Sequence, residues 1–177
     1  MRRMFSLKQL EEIANEVSIS NQQNIEKYGD LIKTWNGGLT EIAGLTFTGV
    51  YCKIVRNFNE LQFIMNFRVS NSTDASITIN ADTKLCEFVK LPDELLTKIY
   101  AHSGLNLKEL NANNSVAYAS LFISQTGGAY DSEYNPRYVN LYFIKSNERL
   151  AFYLEGGNVQ ISAGQTRDFE ARISLAL

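Results

Sequence analysis

The sequence predicts a mainly β protein: an N-terminal α-helix forming an oligomeric coiled-coil stalk, then an antiparallel β-sandwich or jelly-roll head. Three observations predict it. Residues 6–35 repeat apolar positions every three or four residues, residues 39–177 alternate them every two, and turn-forming residues separate the alternating runs. The division falls at residue 38, with 1–38 as a helical stalk or attachment segment and 39–177 as the head.

The helix opens on Ser6-Leu7-Lys8-Gln9, a capping-box pattern. Glu11 and Glu12 follow, where the helix dipole favours negative charge. Steps of three and four from Leu7 then visit Leu10, Ala14, Val17, Asn21, Asn24, Tyr28, Leu31 and Trp35. This seam is apolar or aromatic except at Asn21 and Asn24. A second count, with a stutter after Asn21, runs Leu10, Ala14, Val17, Asn21, Ile25, Tyr28, Ile32, Trp35 and keeps one amide in the seam. The two counts stay open. An amphipathic helix lying on its own domain is the simpler alternative. A buried amide, however, costs stability while fixing register and strand number in a parallel oligomer, a device a lone helix does not need. Trp35-Asn36-Gly37-Gly38 is expected to end the helix.

From residue 39 the period is two. Val50, Cys52 and Ile54 alternate with their neighbours, as do Leu61, Phe63, Met65, Phe67 and Val69. Residues 116–124, 139–144 and 149–154 add further strands. Phe169, Ala171, Ile173, Leu175 and Leu177 close the chain as a strand whose last residue belongs to the core. Turns are expected at Asn57-Phe58-Asn59-Glu60, Asn71-Ser72-Thr73-Asp74, Ser146-Asn147 and Gly156-Gly157-Asn158. Some eight or nine strands with little helix between them point to antiparallel sheets rather than βαβ units. One short helix is expected near 92–98, with Pro92 in its first turn.

Composition bounds function. The chain has 177 residues, 45% hydrophobic, enough for one domain with a real core, and a net charge of −2 with no run of Lys or Arg. Nucleic acid is therefore not an expected partner, since its backbone attracts clustered positive charge. No apolar run approaches the ~20 residues of a membrane helix, and Arg2-Arg3 precede a charged amphipathic segment rather than a signal-peptide core. Synthesis in a cytoplasm is expected. Cys52 and Cys86, the two cysteines, lie in strand-like runs and read as reduced, buried thiols. The sequons at Asn71 and Asn113 carry no weight without secretion.

No catalytic motif is present. The single histidine, His102, stands in Tyr-Ala-His-Ser-Gly and reads as a surface or capping residue. One His and two distant cysteines do not make a zinc site, and Gly-x-Ser-x-Gly, Gly-x-Gly-x-x-Gly and the Walker loop are absent from the sequence. Asp93-Glu94 belongs to a helix first turn. Asp131, Glu133 and Asn135 alternate like calcium ligands, but Pro136 and Tyr142 stand where an EF-hand needs Gly and Glu. No metal or cofactor is expected. The most suggestive segment is residues 125–138, QTGGAYDSEYNPRY, which sets Tyr130, Asp131, Tyr134, Asn135, Arg137 and Tyr138 between two strands. Tyrosines beside amides and charges suit a sugar or protein surface, because the ring supplies apolar area while the hydroxyl stays wet. The alternative is a long hairpin loop whose tyrosines pack on the domain or on a neighbouring subunit.

The order helix, paired opening strands (GVYCKIVRNFNELQFIMNFRVSN), strand then Leu-Pro (LCEFVKLPDELLTKIYA), late hairpin (NLYFIKSNERLAFYLEGG) and closing strand (RDFEARISLAL) resembles the trimeric fibres and receptor-binding proteins of tailed bacteriophages. The resemblance spans about residues 45–177, in order and spacing rather than in a signature motif. A long shaft and a recognisable virion-attachment domain are missing from the pattern. It implies a homotrimer on the virion surface, without enzymatic activity, joined to other virion proteins through its N-terminal helix and adhering to a host-surface carbohydrate or protein. Two alternatives accompany it: a purely structural capsid decoration, head fibre or baseplate adaptor, and a carbohydrate-active enzyme.

Overall fold

A computed structural model of the chain describes residues 11, 14–19, 32–125 and 137–177. Among them lie ten strands: β1 (Ile32–Leu39), β2 (Leu45–Asn57), β3 (Glu60–Asn71), β4 (Ile77–Ile79), β5 (Lys84–Phe88), β6 (Asn114–Gln125), β7 (Arg137–Ile144), β8 (Arg149–Glu155), β9 (Val159–Ile161) and β10 (Thr166–Ala176). Eight form a closed antiparallel barrel in the order β1-β2-β3-β10-β6-β7-β8-β5, with β5 pairing back onto β1. β4 and β9 pair separately as a two-stranded ribbon. The expected mainly β, antiparallel chain is observed, but the expected sandwich or jelly roll is replaced by a barrel. Alternating strands serve either architecture, so their period alone does not separate them.

Two corner strands make the difference. β1 pairs with β2 through Ile32–Asn36 and with β5 through Gly37–Leu39. β6 pairs with β7 through residues 114–121 and with β10 through residues 122–125. Each thereby joins the two halves and removes the open edges a sandwich would keep.

β1 corrects the predicted stalk. The helical count carried the seam to Trp35, whereas Trp35 sits in β1 opposite Ile54, half-buried against the barrel core. The barrel starts at Ile32, ahead of the boundary expected after residue 38. A three-four spacing over so few residues does not outweigh pairing with two waiting strand edges. Gly37, read as a helix terminator, is the residue at which β1 changes partner. A Cβ there would lie 2.9 Å from the Glu87 carbonyl oxygen and 3.0 Å from the Phe88 ring.

Residues 11 and 14–19 are helical, as expected, and all are exposed. Two seam residues, Ala14 and Val17, fall here. Leu10, Asn21, Asn24, Tyr28 and Leu31 lie outside the described residues. Val17 (53% exposed) and Ile19 (58%) do not pack on the barrel, which runs against a helix lying on its own domain.

The core fills the barrel. Leu61, Phe63, Met65, Phe67 and Val69 of β3 point inward, as do Phe169, Ala171 and Ile173 of β10. Phe67 stacks on Phe169 (5.0 Å between centroids, 13°) and meets Phe47 edge to face, while Phe88 meets Phe63 and Phe152 in the same way. Each fully buried phenylalanine contributes roughly 1.5–3 kcal/mol of burial free energy. β10 pairs with β3 along its whole length, and Leu177 N–H donates to the Asn59 carbonyl at 2.7 Å. The predicted terminal strand is thus observed, buried at Phe169, Ala171 and Ile173, while Leu175 and Leu177, the latter just past the strand end, are half-buried against the core.

β2 differs from its predicted alternation in one place. Its register with β3 shifts between Thr48 and Tyr51, where Gly49 takes a φ of 61°. This bulge turns Val50 outward, while Cys52 and Ile54 stay buried. The cysteines are free thiols in the core, and they touch each other. Burial pushes the Cys86 thiol well above its ordinary range. The expected turns at 57–60, 71–74, 146–147 and 156–158 all separate strands, and the expected short helix occupies Asp93–Leu96 after Pro92.

Candidate functional site

The barrel interior is packed with side chains, so a ligand must meet the outside. On β7, Val139, Leu141 and Phe143 point into the core, which puts Tyr138, Asn140 and Tyr142 on the outer face. On β8, Leu150, Phe152 and Leu154 point inward and Tyr153 and Glu155 outward. The ladder sets Asn140 opposite Tyr153 and Tyr138 opposite Glu155. Across the other edge of β7, Tyr118 lies opposite Asn140 and Ser120 opposite Tyr138. One outer face therefore gathers Tyr118, Tyr138, Tyr142 and Tyr153 from three neighbouring strands.

An open groove of about 430 Å³ lies in this face, lined by Asp82, Asn113, Asn140, Tyr142, Tyr153 and Glu155. Each wall is held in place. The Tyr142 and Tyr153 rings meet edge to face at 5.4 Å and 66°, the diagonal pairing that adjacent strands allow. Asn140 is buried, and the Ser115 hydroxyl donates to its Oδ1 at 2.7 Å. Asn113 Oδ1 accepts from the Lys145 N–H at 2.8 Å. Asp82 takes a φ of 66°, a left-handed conformation that aspartate tolerates better than most residues. Its N–H donates to the Leu154 carbonyl at 2.8 Å, which pins the turn against β8.

Lys84, opposite Tyr153 in the β5–β8 ladder, pairs with Glu87 at 2.7 Å, and Arg149 pairs with the same carboxylate at 2.9 Å. Burial alone would raise the Glu87 pKa, but its bonds to Lys84 and Arg149 outweigh that and hold it below the usual carboxylate range. Among the described residues, Asp82 and Glu155 form no ion pair, and the Tyr142 and Tyr153 hydroxyls form no hydrogen bond.

The structure divides the loop residues singled out in the sequence. Tyr130, Asp131, Tyr134 and Asn135 lie outside the described residues, as does Glu133. Tyr138 stands on the outer face, 42% exposed. Arg137, its neighbour, has the opposite parity. Its guanidinium donates to the Asn158 carbonyl at 3.1 Å and packs beside Gly157, so it braces the turn after β8. His102 is exposed, with its ring 5.4 Å from that of Tyr118, and extends the aromatic surface. Among the described residues no three His, Cys, Asp or Glu side chains cluster to hold a metal.

Asn140, Tyr142, Tyr153 and Glu155, expected from the sequence only as strand residues, line the groove. Their signal was present: they are the outward positions of two strands joined at Ser146-Asn147. Asp82 and Asn113 gave none, because only the tertiary fold brings them to β7 and β8.

Fold and site together define a mainly β barrel with an aromatic, polar groove on its outer wall. No protein-family model matches the chain, and no curated protein or solved structure matches it significantly.

Proposed function

We propose that the chain is a non-enzymatic, homotrimeric fibre or receptor-binding protein of a bacteriophage virion, adhering to host-surface carbohydrate or protein through the outer face of β6, β7 and β8. The observation that carries this reading is the gathering of Tyr118, Tyr138, Tyr142 and Tyr153 on one solvent-facing wall of a packed barrel. Exposed aromatic rings with wet hydroxyls beside amides and carboxylates suit recognition, and a barrel closed by paired strands holds them rigidly, which reduces the entropy lost on binding. The helical segment supports the oligomeric part, because the seam residue Val17 is exposed on this chain and a parallel stalk would cover it. Three linked heads would raise a weak per-site affinity by roughly 10²–10⁴-fold.

Light scattering on the full chain at micromolar concentration tests the assembly, with three chains expected and a monomer overturning it. Binding of the fluorescently labelled chain to a panel of bacterial cells tests adhesion. Saturable binding to some strains is expected. Absence of binding to every strain, from a chain that is folded and trimeric, would leave the purely structural virion role in its place.

A further inference from the structure

We infer that the groove between Tyr142 and Tyr153 takes a sugar ring that carries no acidic group, and selects against sialic, uronic and phosphorylated sugars. This rests on the adhesive reading and adds the chemistry of its ligand.

The groove is open, its volume of about 430 Å³ is near the lower end of the ligand-site range, and the β7–β8 ladder fixes Asn140, Tyr142, Tyr153 and Glu155 while hydrogen bonds to Leu154 and Lys145 hold the turn residues Asp82 and Asn113. The edge-to-face tyrosine pair offers an apolar ring surface for the C–H face of a pyranose, with two hydroxyls at its rim. Hydrogen-bonding capacity comes next. Asn140 and Asn113 have their oxygens engaged by Ser115 and by the Lys145 backbone, so each amide presents its remaining donors. Asp82 and Glu155 are carboxylates with no cation and no donor assigned to them among the described residues. A carboxylate accepts two hydroxyl groups well, and hydrogen bonds to a charged acceptor are about twice as strong as neutral ones.

Charge then decides the class. Two anions, Asp82 and Glu155, line the groove, while Lys84 is paired with Glu87 and Arg137 donates to the Asn158 carbonyl. An acidic sugar would enter facing two like charges, which disfavours its binding relative to a neutral sugar. A neutral sugar would use the same carboxylates as acceptors, and an amino sugar would also gain a charge-assisted bond.

The test is binding of the full chain to immobilised glycans, with the free sugars as competitors: neutral hexoses and N-acetylhexosamines, glucosamine, and sialic, uronic and phosphorylated sugars. Neutral or amino sugars are expected to bind at least tenfold better than their acidic counterparts. Asp82→Asn with Glu155→Gln is expected to lose about tenfold for the sugar that binds and to narrow the gap to acidic sugars. Tyr153→Ala is expected to abolish detectable binding, while Tyr153→Phe keeps the ring and much of the binding. The circular dichroism melt of each variant reports folding independently. Preference for an acidic sugar, or neutral-sugar binding unmoved by the folded Tyr153→Ala and double variants, overturns the inference. Cell binding that persists while no sugar competes overturns this inference and leaves the adhesive reading standing with a protein receptor.

Discussion

Tyr142 and Tyr153 meet edge to face across the β7–β8 ladder, 5.4 Å between ring centroids, with Asn140 directly opposite Tyr153. The pair occurs where both strands turn polar or aromatic residues outward over a core of Val139, Leu141, Phe143, Phe152 and Leu154. Because the rings are only partly buried, their removal is expected to affect binding more than folding. Tyr142→Ala should lower thermal stability modestly, by about 1 kcal/mol or less, through loss of the aromatic pair. Urea unfolding checks this, and a loss of several kcal/mol would reassign the ring to the core.

The corner of β1 gives a sharper stability prediction. Gly37 has a glycine-only approach to the backbone of β5, with the Glu87 carbonyl 2.9 Å from where a Cβ would stand. Backbone yields less than a side chain, so Gly37→Ala should destabilise by about 1–3 kcal/mol. Gly38→Ala, with nothing within 4 Å, is the control and should be near neutral. Urea midpoints for the two variants separate a close-packed corner from a generic effect of removing glycine.

Deletion of residues 173–177 should be poorly tolerated. It removes the buried Ile173, the partly buried Leu175 and Leu177, and the last stretch of the β3–β10 ladder. A melting temperature lowered by many degrees, or failure to fold, is expected from a calorimetric scan. An unchanged melt would contradict the register of β10.

Acid stability has a specific contributor. Glu148, with a positive φ of 54°, accepts charge-assisted bonds from Lys108 (2.8 Å) and Lys90, and Asp93 joins the same cluster. Lys108 and Lys90 together hold Glu148 down at about 2, from an ordinary 4.5. A depressed carboxylate stabilises the fold above its unfolded value and loses that contribution as pH falls through its folded value. Glu148→Gln should therefore melt below the wild type at pH 6, by an amount that shrinks below about pH 4.5 and vanishes near pH 2. The side chain is exposed enough to be screened, so the difference should also shrink at high salt. Melting curves across that range, at low and high salt, check both parts.

Legibility in the sequence followed period and distance along the chain. β3 and β10 were readable because apolar residues recur at every second position in each, and the turns flanking β3 are rich in Asn. β1 was not, because Trp35 satisfies a helical count and a strand equally well, and what makes it a strand is the pair of edges offered by β2 and β5. The outward turn of Val50 was hidden for a different reason: a one-residue bulge at Gly49 inverts the alternation, and Gly49 alone does not announce it. Closure into a barrel rather than a sandwich depends on β1 and β6 each changing partner midway, a long-range relation that no local pattern encodes. At the site, the tyrosine-rich segment directed attention to Tyr138, which does stand on the outer face. The same segment offered Arg137 as its companion, although the two alternate to opposite sides of β7. The groove was recoverable in half, from the outward residues of one hairpin, while Asp82 and Asn113 arrive from turns remote in sequence.

The claim that the outer face of β6, β7 and β8 is the adhesive surface is tested most directly by comparing two equally exposed changes on the intact chain. Tyr118→Ser with Tyr138→Ser removes rings from this face, and Tyr51→Ser removes one from β2 on the other part of the barrel. With both variants folded and trimeric, binding to a strain that captures the wild type is expected to fall at least tenfold for the first and to stay unchanged for the second. Equal binding by all three proteins, or a loss confined to Tyr51→Ser, would contradict it.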